Sequence, residues 1–349
     1  MPPSDEGGGF CVAKDGGRDT EMNQKIFNQI CCDLHLGIIT KTVKTVSGGH
    51  MHKMYHVVTD KGEYAIKLLN PVIMQRETVF ENYRVAEEIE QIMLDSQIAI
   101  VPSNVYNGKK MQCIDNQYFY VFDWLDGKSL SDKKITEYHC EIMGKTLGQI
   151  HRLPCNIVCG ASEQLNIDWD FYIAECGKIC PQIVKKLSSC RNLLYNRMSA
   201  GNKALYKLPQ ITCISNGDMD SKNVLWQDEK PYLIDLESLS YGNPYTELFQ
   251  LAICWSGYER CELKFDLLSA FVKGYKSTYG QFDISWEDLY YSNFGSLQWL
   301  EYNLKRALRI ECENEKERRL GIAQVKETLK HIVYYDSVKE QLLSQLNLL

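Results

Sequence analysis

The stretch that constrains this chain most is Ile214-Ser215-Asn216-Gly217-Asp218-Met219-Asp220-Ser221-Lys222-Asn223-Val224-Leu225-Trp226, with Ile234-Asp235-Leu236-Glu237 shortly after it. A short loop presents the Asp218 carboxylate, and Asn223 at its far end carries an amide oxygen. Val224-Leu225-Trp226 predicts a strand, Gln227-Asp228-Glu229-Lys230 a turn, and Pro231-Tyr232-Leu233-Ile234 a returning strand. That hairpin brings Asp235 back beside Asn223. Carboxylate and amide oxygens are hard donors suited to Mg²⁺, which keeps part of its coordination for substrate phosphates. Asp and Asn are common loop residues in their own right. The weight therefore rests on their combination with the hairpin and the trailing Asp-Leu-Glu.

These residues resemble the aminoglycoside phosphotransferase and choline kinase family, whose usual signature is His-Gly-Asp-x-His-x-x-Asn followed by Ile-Asp-x-Glu or Asp. The resemblance spans roughly residues 25 to 340. It implies an α+β, two-lobed protein-kinase-like fold: an antiparallel β-sheet N-lobe with one main helix, and a mostly helical C-lobe. It also implies Mg²⁺-dependent transfer of the γ-phosphate of ATP or GTP to a hydroxyl of a small molecule. An aminoglycoside-like antibiotic, an amino sugar or a choline-like alcohol heads the acceptors, with antibiotic resistance as the attendant role. Asp218 is then expected to orient the hydroxyl or accept its proton, and Asn223 and Asp235 to hold Mg²⁺. Glu237, two residues on along an extended segment, either assists the metal or forms a structural salt bridge. Lys222 either neutralises the γ-phosphate or is simply exposed.

Two positions depart from the signature. Asn216 stands where the family has its first His, and Asp220 where it has the second. The first His usually hydrogen-bonds the backbone near the metal-binding Asp, and Asn also has a donor to give. Asp220 adds negative charge that suits a cationic substrate. Asn216 motivates an alternative, a non-catalytic nucleotide-binding module. A protein kinase fits less well, because the Arg before the catalytic Asp and the Lys two after it are missing, and 237–244 is too short for an activation segment.

Upstream, residues 1–20 are rich in Gly, Pro and charge and are expected to lack fixed structure. Ile26, Ile30, Leu34 and Leu36 predict a short amphipathic helix. Strands are expected at 42–46, 54–58 and 64–69, the first two joined through Ser47-Gly48-Gly49. Those glycines either let a backbone approach phosphates or form an ordinary hairpin turn. Lys67 lies in an alternating apolar strand, where a buried ammonium needs a partner; an exposed lysine on an edge strand is the alternative. The resemblance makes Lys67 the α/β-phosphate clamp and Glu87, in a helix over 75–94, its partner, with Glu81 in reserve. A strand pair is expected from 101–103 and 111–114. Phe122, Asp123 and Trp124 fall where the family reads the nucleotide base through backbone groups. The expected organisation is thus a tail over 1–20, an N-lobe over 21–122 and a C-lobe over 123–349.

The remainder predicts helices at about 135–153, 169–186, 190–198, 262–279, 286–308 and 315–348. His151 reads as a packed or capping residue, and Glu247 as a conjectural contact to the acceptor. A net charge of −6 argues against a nucleic-acid partner. No apolar run reaches the length of a membrane span and no signal pattern opens the chain. The 14 cysteines have irregular spacing without paired C-x2-C motifs, so free thiols in a reducing cytoplasm are expected rather than zinc. A monomer or homodimer is expected.

Overall fold

The structure, a computed structural model, describes residues 17–46, 52–158, 164–312 and 314–349. In chain order it contains α1 (Gly17–Asp33), β1 (Lys44–Val46), β2 (Lys53–Val58), β3 (Glu63–Leu68), α2 (Val79–Asp95), β4 (Gln112–Ile114) and β5 (Gln117–Asp123). Then follow α3 (Glu137–His151), α4 (Trp169–Ile179), α5 (Pro181–Leu205), β6 (Cys213–Ser215), β7 (Val224–Gln227), β8 (Lys230–Leu233) and β9 (Ser240–Gly242). The chain ends in α6 (Pro244–Trp255), α7 (Phe265–Tyr279), α8 (Trp286–Ser292), α9 (Gly295–Ala307), α10 (Glu315–Ser337) and α11 (Lys339–Leu346). Among the described residues no helix is long and apolar enough to cross a membrane.

The chain divides into two compact units. The first runs to Ile135 and takes in Asn216–Ser240; the second comprises Thr136–Ser215 and Tyr241–Leu349. The sequence places its boundary at 122/123; the division into units falls at 135/136 and groups the Asp218 loop and its hairpin with the sheet.

In the first unit the five strands form one antiparallel sheet in the order β1-β2-β3-β5-β4. Side chains alternate across it with a period of two. Phe119, Val121, Ile66, Tyr55 and Val57 pack with Phe27 and Ile30 of α1. Tyr120 packs with Val79 and Tyr83 of α2, and with Leu69 and Met74. Lys67 lies directly across from Tyr120 in the ladder, which puts it on the α2 side. Two expectations shift here. Helix α2 begins at Val79, after a separate turn at Ile73–Gln75, rather than at 75. The segment 101–103 does not pair with 111–114: Val101 N–H donates to the Leu233 carbonyl and Ser103 bridges to Phe122, while β4 pairs with β5.

The β7–β8 hairpin forms as the sequence predicts. Asp228 and Glu229 both take positive φ, 48° and 64°, the conformation a two-residue hairpin turn needs. It is stitched into the same unit by Leu233 N–H to the Ala99 carbonyl (3.0 Å) and by Trp226 and Lys128 exchanging both backbone bonds. Ile234 N–H continues the ladder to the Asn223 carbonyl at 3.0 Å, so Asp235 is delivered beside Asn223.

The second unit is almost wholly helical. Helices α3 and α7 cross closely at glycines: a Cβ at Gly148 would lie 3.0 Å from the Tyr275 carbonyl oxygen, and one at Gly144 would collide with α7 backbone. Trp169, Leu187, Leu194, Leu300, Leu304, Val325 and Leu329 fill a core among α4, α5, α9 and α10. The expected helix over 169–186 breaks at Cys180 because Pro181 lacks an N–H and takes the first position of α5. The spans 286–308 and 315–348 are likewise divided, at 293–294 and at Val338. Six described cysteines (31, 140, 176, 180, 190 and 213) are buried and outside any disulfide, and Cys32 and Cys113 are exposed. Burial pushes the Cys140 and Cys176 thiols up to about 12, which keeps them protonated and unreactive.

Candidate active site

The loop that carries Asp218 is held by its own backbone chemistry. Gly217 has φ +74°, and a Cβ there would lie 2.7 Å from the Ser238 carbonyl oxygen. Only glycine meets both conditions without strain. Gly217→Ala is therefore expected to destabilise the fold by about 2 kcal/mol, read as a lower melting midpoint together with reduced turnover. A wild-type midpoint would show that Ser238 can move aside.

Asn216 is buried, and its side-chain oxygen accepts the Asp218 N–H at 3.2 Å. The sequence credits Asn216 with a donor; the structure uses its acceptor. On the other side, Asn223 Nδ2 donates to the Asp218 carbonyl oxygen at 2.9 Å. Asp218 is thus gripped at both its N–H and its C=O, which fixes the direction of its side chain. Asp218 Oδ1 is buried without a hydrogen-bond partner. The nearest cation is Lys222 Nζ, 3.8 Å from Asp218 Oδ1 and 3.5 Å from Asp220 Oδ2. Burial first, then the Asp220 charge, pushes the Asp218 carboxyl up to about 7, against the pull of Lys222. A buried carboxylate oxygen lacking a donor is costly unless something arrives to bond it.

Asp235 adopts a left-handed conformation (φ 60°, ψ 54°) and leads into a short helical turn, Leu236–Ser238. The sequence expects Glu237 to share a side with Asp235 along an extended segment. The two carboxylates do converge, but through a left-handed residue and a tight turn, a backbone state that costs a non-glycine residue roughly 1–2 kcal/mol. Both meet Lys67: its Nζ donates to Asp235 Oδ1 and to Glu237 Oε2. Lys67 is buried. Burial alone lowers the ammonium pKa, but Asp235 and Glu237 reverse this and raise it. Burial also works to raise Glu237, yet the His52 ring and the Lys67 ammonium hold its carboxyl down at about 2.

The helix glutamate expected on Lys67 is elsewhere. Glu87 accepts from the Tyr120 hydroxyl at 2.7 Å. Tyr120 stands directly across the ladder from Lys67 and takes the place next to it. Glu81, the reserve, pairs with Arg84 on the exposed face of α2 at 2.6 Å. Buried Glu90 pairs with Lys110 at 2.8 Å and accepts from Ser103. His52 fills the gap: its Nε2 lies 3.3 Å from Glu237 Oε1. No local signal marks it, since a histidine ahead of a strand has no pattern that distinguishes it from a surface residue.

The remaining predicted residues divide. Ser47, Gly48 and Gly49 lie outside the described residues. Phe122 and Asp123 end β5, with Asp123 Oδ1 accepting from Asn104 Nδ2 at 2.9 Å. Trp124 N–H already donates to the Glu63 carbonyl at 3.0 Å, so that donor is committed to the sheet. The Trp124 ring stacks on His56 at 3.8 Å. In the helical unit, Glu247 is buried, and its Oε2 bonds His151 Nε2 at 3.0 Å. The other ring nitrogen of His151 meets the Tyr275 hydroxyl at 2.9 Å. His151 is thus a packed histidine, with Glu247 tied to it.

Among the described residues no group of three or more His, Cys, Asp or Glu side chains is arranged to enclose a metal. The donors that are present nevertheless fit Mg²⁺. Asn223 spends its Nδ2 hydrogen on Asp218, which turns its amide oxygen into the acceptor that remains, and Asp235 has Oδ1 on Lys67 with Oδ2 left over. Two protein oxygens with the rest from phosphates and water is the coordination Mg²⁺ takes in phosphoryl-transfer sites.

Residues 42–290 match the model of the phosphotransferase enzyme family (APH). Several solved structures share the fold. A spectinomycin phosphotransferase, APH(9)-Ia, in complex with ADP and spectinomycin, has a TM-score of 0.68 at 15% identity, over 89% of this chain and 98% of that one. Amicoumacin kinase hAmiN, in complex with AMP-PNP and Ca²⁺, has a TM-score of 0.57 at 12% identity, over 89% and 95%. A choline/ethanolamine kinase family protein from Mesorhizobium loti has a TM-score of 0.56 at 13% identity, over 90% and 99%. No curated protein matches the chain by sequence. With the Asp218–Asn223–Asp235 loop and hairpin, the kinase-like α+β fold and a family match over most of its length, the chain belongs to the phosphotransferase enzyme family.

Proposed function

We propose that this chain transfers the γ-phosphoryl group of ATP or GTP, as the Mg²⁺ complex, to a hydroxyl of a small molecule in the cytoplasm. The acceptor is an aminoglycoside-like antibiotic, an amino sugar or a choline-like alcohol. The observation that carries this is the orphaned Asp218 Oδ1, held by its own backbone beside Asn223 and backed by a lysine-bound carboxylate pair.

Asp218 Oδ1 accepts the hydrogen of the acceptor hydroxyl and aligns its oxygen with the γ-phosphorus. As that oxygen forms its bond to phosphorus, the bond from phosphorus to the β–γ bridging oxygen breaks, the proton passes to Asp218, and ADP or GDP leaves. The raised affinity of Asp218 for a proton suits this task. Lys67 supplies positive charge to the α- and β-phosphates. Asn223 and Asp235 would hold Mg²⁺, which would supply neutralising charge to the phosphates when bound. Asp220, beside Asp218, gives the acceptor side a negative charge that favours a cationic hydroxyl compound. Glu247, whose Oε2 meets His151 Nε2, is proposed as an acceptor contact.

A non-catalytic nucleotide-binding module is the second reading, motivated by Asn216. Against it, Asn216 keeps a bond to the Asp218 backbone. The test is coupled-assay turnover of ATP and GTP with Mg²⁺ against aminoglycosides, choline, amino alcohols and simple sugars, with Asp218→Ala alongside. Acceptor-dependent turnover that disappears in the variant is the expected result. Intact nucleotide binding with no acceptor raising turnover favours the module, and absence of nucleotide binding overturns both.

A further inference from the structure

We infer that His52 is a positioning residue that holds the phosphate-clamping lysine through Glu237, replacing the helix glutamate that usually serves this purpose. The inference rests on the phosphoryl-transfer reading of the same site.

The hydrogen bonds of His52 determine its tautomer. Its Nδ1 lies 2.9 Å from the backbone N–H of Asn70. A backbone amide is an obligatory donor, so Nδ1 must present its lone pair, and the ring hydrogen sits on Nε2. Nε2 is within hydrogen-bond distance of the Tyr83 hydroxyl at 3.2 Å, and it also lies 3.3 Å from Glu237 Oε1, close enough to take up that carboxylate when the ring tilts toward it. The ring is buried and cannot turn over without leaving the Asn70 N–H unpaired. Asn70 follows β3, the strand that carries Lys67, so His52 couples the main chain beyond that strand to the carboxylate that receives the strand's lysine.

Glu237 thus has Oε2 on Lys67 and Oε1 3.3 Å from the His52 ring. A carboxylate held at one oxygen pivots about its χ angles; held at both, it presents a fixed acceptor to the ammonium. In α2, Glu81 pairs with Arg84, Glu90 pairs with Lys110, and Glu87, the usual partner position, accepts from Tyr120. Lys67 is thus aligned from the segment after the catalytic hairpin, and the brace that makes the alignment rigid comes from the entry to β2. This assigns Glu237 to the lysine rather than to the metal.

The test uses His52→Asn and His52→Gln, because the two amides stand in for different ring nitrogens. Asn reaches the Nδ1 position and accepts from Asn70 but falls short of Glu237. Gln reaches the Nε2 position and donates to Glu237. Binding of Mg·ADP, Mg·ATP and adenosine is measured by calorimetry on the full chain, with melting curves for each variant. Since Lys67 serves the phosphates, His52→Asn is expected to weaken Mg·ADP and Mg·ATP about tenfold and adenosine less than about twofold, a size set by one hydrogen bond to a charged group. His52→Gln is expected to stay within about threefold of wild type for all three. Glu237→Gln should reproduce the phosphate-selective loss, and the double variant His52→Asn/Glu237→Gln should lose no more than Glu237→Gln alone.

Retained binding in His52→Asn, equal losses in both His52 variants, additive losses in the double variant, or losses shared by adenosine would each overturn the inference. Rescue by Asn but not by Gln would do so as well, leaving His52 as a brace for the Asn70 turn only. Failure of the wild-type chain to bind Mg·ADP or Mg·ATP would instead remove the phosphoryl-transfer reading itself, and this inference with it.

Discussion

Asp218→Asn is expected to lower acceptor-dependent turnover by about a thousandfold, the scale of a lost general base, while raising the stability of the metal-free protein at neutral pH. The two effects share one cause. Asp218 Oδ1 is buried without a donor, and burial with the Asp220 charge lifts the carboxyl from its ordinary 3.8 to about 7. Because the folded-state value lies above the unfolded one, the charged form is disfavoured by folding. Wild-type stability from this group is intact below pH ~4, falls as pH rises, and is fully lost above pH ~7. An amide has no charge to desolvate. The stability advantage of Asp218→Asn should therefore be near zero at pH 4 and reach roughly 2–4 kcal/mol above pH 7. Melting in chelator at pH 4, 6 and 8 checks this directly. An Asn variant no more stable than wild type at pH 8 would mean that the carboxylate is satisfied in solution, and the case for a poised base would fail.

Lys67→Met should act in the opposite sense on stability. The substitution preserves the aliphatic stem but removes the cation that Asp235 and Glu237 share. Breaking one side of a buried ion pair leaves uncompensated charge and costs about 3–5 kcal/mol; partial exposure of Asp235 and Glu237 puts the expectation near 3 kcal/mol. The pH dependence follows from Glu237, whose carboxyl is depressed to about 2 against an ordinary 4.5. A depressed carboxyl contributes stability that is present above pH ~4.5 and is lost as pH falls toward 2. The deficit of Lys67→Met should accordingly be largest at neutral pH and shrink on acidification. Turnover should fall at least a hundredfold, mainly through loss of charge on the phosphates. A variant with wild-type stability at pH 7 would show that the two carboxylates do not depend on Lys67.

The Asp218 loop and the hairpin that follows it were legible in the sequence because their conformation is local. Gly217 before Asp218, Asn223 five residues on and a two-residue turn at Asp228-Glu229 are set by backbone conformations that neighbouring residues impose. The sheet was legible for the same reason: alternation along 53–58 and 63–68 needs only a period of two. Helix ends were less so. The break at Cys180–Pro181 follows from proline chemistry in plain view, whereas the interruptions at 293–294 and at Val338 have no comparable local signal.

What escaped the sequence is the identity of partners. Lys67 in an alternating strand demands a counter-charge, but α2 offers several glutamates and the chain downstream offers Asp235 and Glu237. Choosing among them requires knowing that Tyr120 stands across the ladder from Lys67 and intercepts Glu87. It also requires the left-handed turn at Asp235, which brings Glu237 round to the same ammonium. His52 enters through a contact with a residue far along the chain, and Glu247 is tied to His151, 96 residues away in sequence. The sequence by itself determined the family, the fold class and the loop that carries Asp218, because turn conformation and strand alternation are properties of short segments. Only the tertiary structure decided which carboxylate holds the lysine and which histidine braces it, because the cost of burying a charge depends on what lies within a few ångströms of it.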